Sequence, residues 1–581
     1  VLRAVLPTDY TLPLPVEVCY AYANSTVDKG GAAAMKIAIG QINTTVGDFE
    51  GNAEKILDYA RRAEREGAEL IVFPEMSVCG YPPMDLLDYE RFVQENLRML
   101  RYLQRQLPEE LGVLVGYVDK TKGVGGKALQ NVVSVLHGGQ IIHSQAKTLL
   151  PTYDVFDEAR YFQPAAERRP FTFKGVRIGA AICEDIWWQS EPSPGTRYVL
   201  DPVKELLDAG AELLLAPSAS PFYQGKREVR RGLVEKIGRA SGVPMVYVNM
   251  VGGNDNLIFD GASMISDARG RVTAVCEGYE EEFRLFDTEV PGGEAPVRDR
   301  EPCEHLRQAL VLGLKDYVEK CGFSRVHLGL SGGVDSALVA VLAVQAFGPE
   351  RVRTFAMPSR FSADASTEDA RQLANNLGVE FDVLPIEPMY EASLKSLEQV
   401  FGETEFGVTE ENVQARLRGV MMMAYSNKTG SLLLTTGNKS ELATGYCTLY
   451  GDMAGGLSVI GDLLKQDVYR LCRHINSLEA VIPESIIEKV PSAELRPDQK
   501  DEDSLPSYEI LDGILSRYVV ENKSADEIAA EGFDLQTVRD IVSLVGKNEY
   551  KRRQAPPVLK VSTRAFGTGR RMPIARNHFE A

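Results

Sequence analysis

The stretch that most limits the fold is Ser331-Gly332-Gly333-Val334-Asp335-Ser336, which joins an apolar run at Val326–Leu330 to an apolar helical pattern at Ser336–Phe347. A strand that turns through two adjacent glycines straight into a helix is the start of a βα unit in a doubly wound, Rossmann-like sheet. The glycines let backbone approach closely, and the N–H groups of the helix start point the same way, so the turn is a cradle for a polyphosphate. Ser331 and Ser336 add hydroxyl donors. Asp335 would be repelled by phosphate alone and makes chemical sense as a Mg²⁺ ligand. The loop lacks the Gly-Lys-Ser/Thr ending of a Walker A motif, so cleavage between β- and γ-phosphates is not the natural reading. A bare Gly-Gly turn would be read as an ordinary helix start; the serines and Asp335 argue otherwise.

The cradle opens an α/β pattern. A helix at 304–320 precedes it; strands at 351–356, 380–384 and 431–435 and helices at 366–377 and 412–428 follow. Before it, from Met35 to about Glu289, short apolar runs alternate with helical patterns at 52–66, 89–106 and 226–241, which predicts a layered α/β domain. The expected organisation is an extension at 1–34, poorly ordered; a first domain at 35–289; a linker at 290–302; and a second domain at 303–581.

Three motifs close strands of the first half: Phe73-Pro74-Glu75, Ala146-Lys147-Thr148 and Ile182-Cys183-Glu184. Singly, each residue reads as core or as a surface pair. Together they make chemical sense, because strand C-termini are where active-site groups collect in such domains. An ammonium near a thiol lowers its pKa, a carboxylate can take the thiol proton and later activate water, and the N–H of Glu184 with Lys147 can form an oxyanion site.

Charge narrows the partners. The chain carries 82 acidic and 64 basic residues, a formal net charge of −18, which disfavours nucleic acid and anionic membrane surfaces. No apolar run is long enough to span a bilayer. Eight cysteines without a Cys-x-x-Cys pair fit free thiols and a cytoplasmic setting rather than a disulfide framework. Residues 551–576 are the exception, with eight cations and no acid, and read as a folded-back phosphate clamp.

The Ser331–Ser336 stretch resembles the signature of the PP-loop ATP pyrophosphatases. Thr436-Gly437-Asn438-Lys439-Ser440-Glu441, Tyr450-Gly451-Asp452, Lys465 and Lys551–Pro557 resemble the NAD synthetase branch of that family. The three strand-end motifs resemble the nitrilase superfamily, with its α-β-β-α sandwich and Cys-Glu-Lys triad. The resemblances imply a glutaminase domain joined to an ATP-dependent, NAD-forming domain. They imply catalysis by Glu75, Lys147 and Cys183, and a glutamine pocket of Tyr153, Phe156, Glu158, Ser220 and Lys226. ATP would lie on Ser331, Gly332, Gly333, Val334, Asp335, Ser336 and Thr436, with Mg²⁺ on Asp335 and Glu441. Deamido-NAD would lie on Asn412, Arg416, Glu441, Asp452, Lys465 and Lys551. A homo-oligomer is implied as well. The competing readings are another PP-loop amidotransferase, a tRNA thiolase, for which the paired cysteines are missing, and a non-enzymatic nucleotide-binding module.

Overall fold

The computed structural model describes residues 35–122, 125–188, 198–288, 295, 301–402, 405–497 and 499–577. The expected extension at 1–34 and nearly all of the expected linker lie outside the described residues.

The strands of the first module are β1 (Lys36–Gln41), β2 (Leu70–Val72), β3 (Gly112–Lys120), β4 (Leu129–His137), β5 (Gln140–Ala146), β6 (Phe171–Phe173), β7 (Val176–Ala180), β8 (Leu213–Ser218), β9 (Met245–Asn249), β10 (Val251–Asn254), β11 (Leu257–Asp260), β12 (Met264–Ser266), β13 (Val272–Val275) and β14 (Glu282–Asp287). They form two six-stranded sheets, ordered β14-β1-β2-β3-β4-β5 and β13-β12-β9-β8-β7-β6, with β10–β11 as a separate hairpin. Side-chain alternation makes the layers. Ile37, Ile39 and Val72 of one sheet meet Ile178, Leu215 and Val246 of the other. Ala38, Ile71 and Val113 point the opposite way, onto α1 (Phe49–Arg65) and α2 (Glu90–Gln106). Leu214, Met245 and Tyr247 face α3 (Pro202–Asp208) and α4 (Lys226–Ser241). The result is an α-β-β-α sandwich. Strands covered on both faces must be apolar throughout, which is why these read as unbroken runs.

The second module begins with α5 (Pro302–Lys320), followed by α6 (Val334–Phe347), α7 (Asp364–Leu377), α8 (Glu387–Phe401), α9 (Val408–Thr429), α10 (Lys439–Thr444) and α11 (Lys465–Leu478). Its parallel sheet has the order β17-β16-β15-β18-β19, with β15 (Val326–Gly329), β16 (Val352–Ala356), β17 (Glu380–Val383), β18 (Leu432–Thr435) and β19 (Leu457–Ser458). Crossovers leave β15 in opposite directions, so the end of β15 is the switch point where ligands bind in such sheets. Ser331–Ser336 starts there. Ten of the fourteen residues of α6 are buried, so it is apolar nearly all round.

The modules share one core. Phe222 and Ile258 of the first pack with Leu310, Leu314 and Leu559 of the second. Among the described residues no helix is long and apolar enough to cross a membrane.

The basic C-terminal stretch is folded back, as expected, but not as an open phosphate clamp. Arg552 is buried and donates to the carbonyls of Leu442 and Ala443 and to Glu549, Arg570 pairs with Glu549, and Lys560 pairs with Asp154 of the first module. These cations are consumed by carbonyls and carboxylates of the fold itself.

Candidate active sites

In the first module Lys147 is 1% exposed and lies between two carboxylates, donating to Glu75 Oε1 and Glu158 Oε1 at 2.7 Å each. Glu75 also accepts from Asn131 Nδ2 (2.6 Å) and from the Ala219 N–H (3.0 Å), and Tyr81 OH donates to Glu158 (2.9 Å). Burial and repulsion by Glu75, opposed by Lys147, lift the Glu158 carboxyl to about 7. Removing one partner of such a set would strand a buried charge, at about 3–5 kcal/mol.

Cys183 opens a 3₁₀ turn directly after β7, in the left-handed region at φ 44°. A non-glycine residue is held there only by its surroundings. Asp185 supplies them: its carboxylate accepts from the N–H groups of Thr148 (3.0 Å), Leu149 (2.7 Å) and Ile182 (3.1 Å), tying the lysine loop to the cysteine turn. Lys147 pulls the thiol pKa down, as expected, but it is outweighed. Burial pushes the Cys183 thiol well up and the Glu75 carboxylate pushes it further, against the pull of Lys147. Lys147 is shared between its two carboxylates, Glu75 and Glu158.

Of the expected glutamine pocket, Tyr153 OH donates to Glu184 (3.0 Å) and its ring packs edge-on against Phe156. The Ser220 N–H is held by Asn249 Oδ1 (2.8 Å). Lys226 Nζ sits 3.9 Å from the ring centroid of Trp187. Glu158 belongs with Lys147 rather than with the pocket wall. Sequence reasoning used only the backbone of Glu184 and passed over Tyr198, whose OH donates to Glu184 (2.8 Å). The Cys-Glu-Asp order was the available signal, because three consecutive polar residues at a buried strand end need partners.

In the second module Ser331 and Ser336 hydroxyls lie 3.1 Å apart and brace the turn, and Gly332 has φ 77° with Ser366 so close that a Cβ would strike its carbonyl oxygen. The side chain of Val334 is buried, so only its backbone faces the cradle. Asp335 accepts from Asn438 Nδ2 (2.9 Å) and from Lys465 Nζ (2.5 Å). Glu441 lies 3.6 Å from Lys465 and also caps its own helix through the Asn438 N–H (3.2 Å). Burial and then Asp335 raise the Glu441 carboxyl to about 8.

A cavity of about 340 Å³ joins this cradle to Thr436, Glu441, Asp452, Lys465 and Arg418. Ligand pockets start at about that size. Lys465 lines this cavity together with Asp452, and its ammonium also bridges Asp335 and Glu441. Lys551 is a correction, since its ammonium caps the carbonyls of Gly445 (2.7 Å) and Cys447 (2.8 Å). Asn412 and Arg416 lie beside the wall, Asn412 accepting from Thr448 (2.7 Å) and Arg416 donating to the Leu449 carbonyl (3.2 Å). Arg418 and Asp501, both at the cavity, were not expected; Arg418 donates to the Met357 carbonyl (2.9 Å) and Asp501 accepts from Tyr508 OH (2.8 Å). Asp501 opens a short 3₁₀ turn, Asp501–Asp503.

A buried Cys-Glu-Lys hydrolase site and an anion cradle at a switch point, on one chain with a shared core, define a two-module amidotransferase that activates its acceptor with a nucleotide. The carbon–nitrogen hydrolase family matches residues 36–290 and the NAD synthase family residues 306–555. The chain is 46% identical over 552 residues to the glutamine-dependent NAD(+) synthetase of Synechocystis sp., covering 93% of this chain and 98% of that one. It is 43% identical over 588 residues to that of Thermotoga maritima, covering 94% and 99%. A structure of the Acinetobacter baumannii glutamine-dependent NAD⁺ synthetase with ADP matches with a TM-score of 0.74 and 36% identity, covering 94% of this chain and 100% of that one. The chain belongs to the glutamine-dependent NAD(+) synthetase family. Its reaction is carbon–nitrogen ligation with glutamine as nitrogen donor.

Proposed function

We propose that Cys183 attacks the side-chain amide of glutamine as Glu75 takes the thiol proton and passes it to the departing amine, so that ammonia leaves and a glutamyl thioester remains; Glu75, ionised again, then activates the water that hydrolyses the thioester to glutamate and restores the thiol. Lys147 and the Glu184 N–H would hold the oxyanion. Lys226 would receive the α-carboxylate, and Glu184, oriented by Tyr153 and Tyr198, the α-ammonium. In the second module the carboxylate of deamido-NAD attacks the α-phosphate of ATP and expels pyrophosphate; ammonia then displaces AMP and gives NAD. Activation is required because a carboxylate is a poor electrophile. The observation that carries the reading is the pair of built sites on one continuous core.

Mg²⁺ fits the donors present. Asp335 and Glu441 are hard oxygen ligands that repel each other across a single lysine, and Mg²⁺ is commonly held by one or two carboxylates plus substrate phosphates. When bound, it would neutralise phosphate charge; Lys465 would bind the polyphosphate from the same side.

Asn412, Arg416 and Asp452 would receive the dinucleotide. Exposed Val408, Val420 and Met423 on α9, the helix of Arg416, support a homo-oligomer, and the seven cysteines among the described residues, all free thiols, support a cytoplasmic setting. Ammonia requires a sheltered path between the modules, since in water it is protonated.

The test is a product assay with ATP, Mg²⁺, deamido-NAD and either glutamine or ammonium chloride. NAD, AMP and pyrophosphate are expected from both nitrogen sources and glutamate from the first; absence of AMP and NAD from both would overturn the reading. A pH profile tests the pocket. Burial and then Arg230, opposed by Glu184, pull the Lys226 ammonium down to about 8. Its charge is lost as pH rises through that value, and kcat/KM reports the free enzyme. The kcat/KM for glutamine is therefore expected to start falling at about pH 8, kcat less so, and Lys226→Arg to move the fall up to the pH at which glutamine's own α-ammonium is lost. A wild-type profile flat for about two pH units above about pH 8 would contradict the role.

A further inference from the structure

The opening of α4 gathers three cations, Lys226, Arg227 and, one turn on, Arg230, at a helix end that is itself positive. Like charges four residues apart on a helix repel, and burying them is costly unless they are paired. Arg230 is nevertheless only 1% exposed. The fully buried Asp260 offsets part of the charge: Arg230 Nη2 donates to its Oδ1 (2.6 Å) and Arg227 Nε to its Oδ2 (2.9 Å). Lys226 is packed between rings, 3.9 Å from the centroid of Trp187 and 4.9 Å from that of Tyr223, with Glu184 as its nearby carboxylate. Three cations thus face two carboxylates, and the group is one negative charge short.

It is also short of acceptors. Arg230 Nε, Arg230 Nη1 and the Tyr247 hydroxyl are buried without a hydrogen-bond partner among the described residues. Tyr247, on β9, has its hydroxyl beside Arg230 and Ser220, and the Cys183 thiol is near enough for its charge to act on the phenol. Buried polar groups are nearly always paired, and one left unpaired destabilises the fold. Three at one point, directly behind Ser220 and Lys226, mark a place completed by a ligand.

We infer that Arg230 and Tyr247 are positioning residues that set the specificity of the glutamine pocket, admitting an amide with a free α-carboxylate and rejecting one without it. The inference rests on the glutamine reaction proposed above. The α-carboxylate beside Lys226 brings the missing negative charge. Ser220 Oγ–H donates to it, which turns the serine lone pairs towards the Tyr247 O–H; the phenol oxygen in turn accepts from Arg230, whose far side Asp260 holds. Each group gives one hydrogen bond and receives one, and a charge at the end of such a chain strengthens every member. An amide lacking the carboxylate leaves the chain unmade and the cations uncompensated, the arrangement that discriminates most strongly between substrates.

Tyr247→Phe and Arg230→Gln, made in the full-length protein, test it. The readouts are ammonia released from glutamine and from glutamine α-amide, with kcat and KM resolved, and NAD synthesis from ammonium. The glutamine KM is expected to rise at least about threefold in Tyr247→Phe and about tenfold or more in Arg230→Gln, the ranges for neutral and charged hydrogen bonds. Because the loss is one of binding, kcat should stay within about twofold. The kcat/KM for the α-amide should also hold within about twofold, so the preference for glutamine falls by the same factors, and ammonium-dependent synthesis should match wild type. Tyr247→Phe deletes a hydroxyl that nothing pairs in the free protein and should unfold no lower than wild type; in Arg230→Gln, Asp260 keeps Arg227. A smaller rise in KM in Tyr247→Phe, a loss shared equally by glutamine and its α-amide, or a wild type that hydrolyses both amides equally well would overturn the inference. A wild-type protein that releases no ammonia from glutamine would instead overturn the proposed reaction.

Discussion

Cys183→Ala is expected to reduce glutamine-dependent NAD formation by at least about 10³-fold, because no other group can form the acyl intermediate. With ammonium chloride as nitrogen source the same variant should match wild type within about twofold. The division follows from the structure. Cys183 is buried between the two sheets of the first module, and the described contacts of the cradle run through Asn438 and Lys465 instead. Folding should survive. Alanine tolerates the left-handed backbone no worse than cysteine, and trimming one buried sulfur costs on the order of 1 kcal/mol. Removing Lys147 would be a poorer test, because it strands Glu75 and Glu158 and confounds catalysis with stability. Parallel assays of NAD with the two nitrogen sources decide the matter; equal loss with both would refute separate sites.

The layers were legible because both modules are built from strands covered on two faces. Val176–Ala180, Leu213–Ser218 and Met245–Asn249 could hardly be anything else, and the strand-to-glycine turn at Ser331 announced the switch point by itself. The short hairpin β10–β11 escaped notice. Val251-Gly252-Gly253-Asn254 has two glycines and an asparagine where a strand ought to be apolar. Gly253 is there for the other module, since it admits Asp316 of α5, while Gly252, at φ 117°, lies against Asn43 of its own module. A requirement imposed across an interface leaves no periodic signal in either partner.

Site residues divide in the same way. Glu75, Lys147 and Cys183 each end a strand, and topology converges them without further information. Roles that depend on which of several charges lie nearby were not legible. Lys465, at the start of its helix, lines the cavity as a ligand-facing lysine would, but nothing in the sequence signalled that its side chain also reaches back 130 residues to Asp335. Lys551 and Arg552 looked like anion binders in an acid-free stretch, but bare carbonyls at the end of α10 claim both. Net local charge in the sequence does not count carbonyl acceptors, and a buried helix C-terminus supplies several.

Asp335→Ala is expected to abolish synthesis with either nitrogen source. The carboxylate is the part of the cradle that can organise a divalent cation, and polyphosphate chemistry depends on such electrostatic stabilisation, so a loss of about 10³-fold or more in pyrophosphate release is expected. The fold should tolerate the change, for a reason specific to this site. Lys465 loses its closest partner but retains Glu441 at 3.6 Å. Glu441 in turn loses the repulsion of Asp335, which after burial is the larger of the causes that raise its carboxyl to about 8. Its pKa should drop, the ionised form should take over Lys465, and a buried pair should persist. The variant is therefore expected to unfold within a few degrees of wild type and to keep hydrolysing glutamine at a basal rate. Pyrophosphate release, thermal unfolding and glutamate release measured on one preparation separate these effects. Pyrophosphate release above about a tenth of wild type, a barrier change of only about 1.4 kcal/mol, would show that Asp335 does not organise the reacting phosphates.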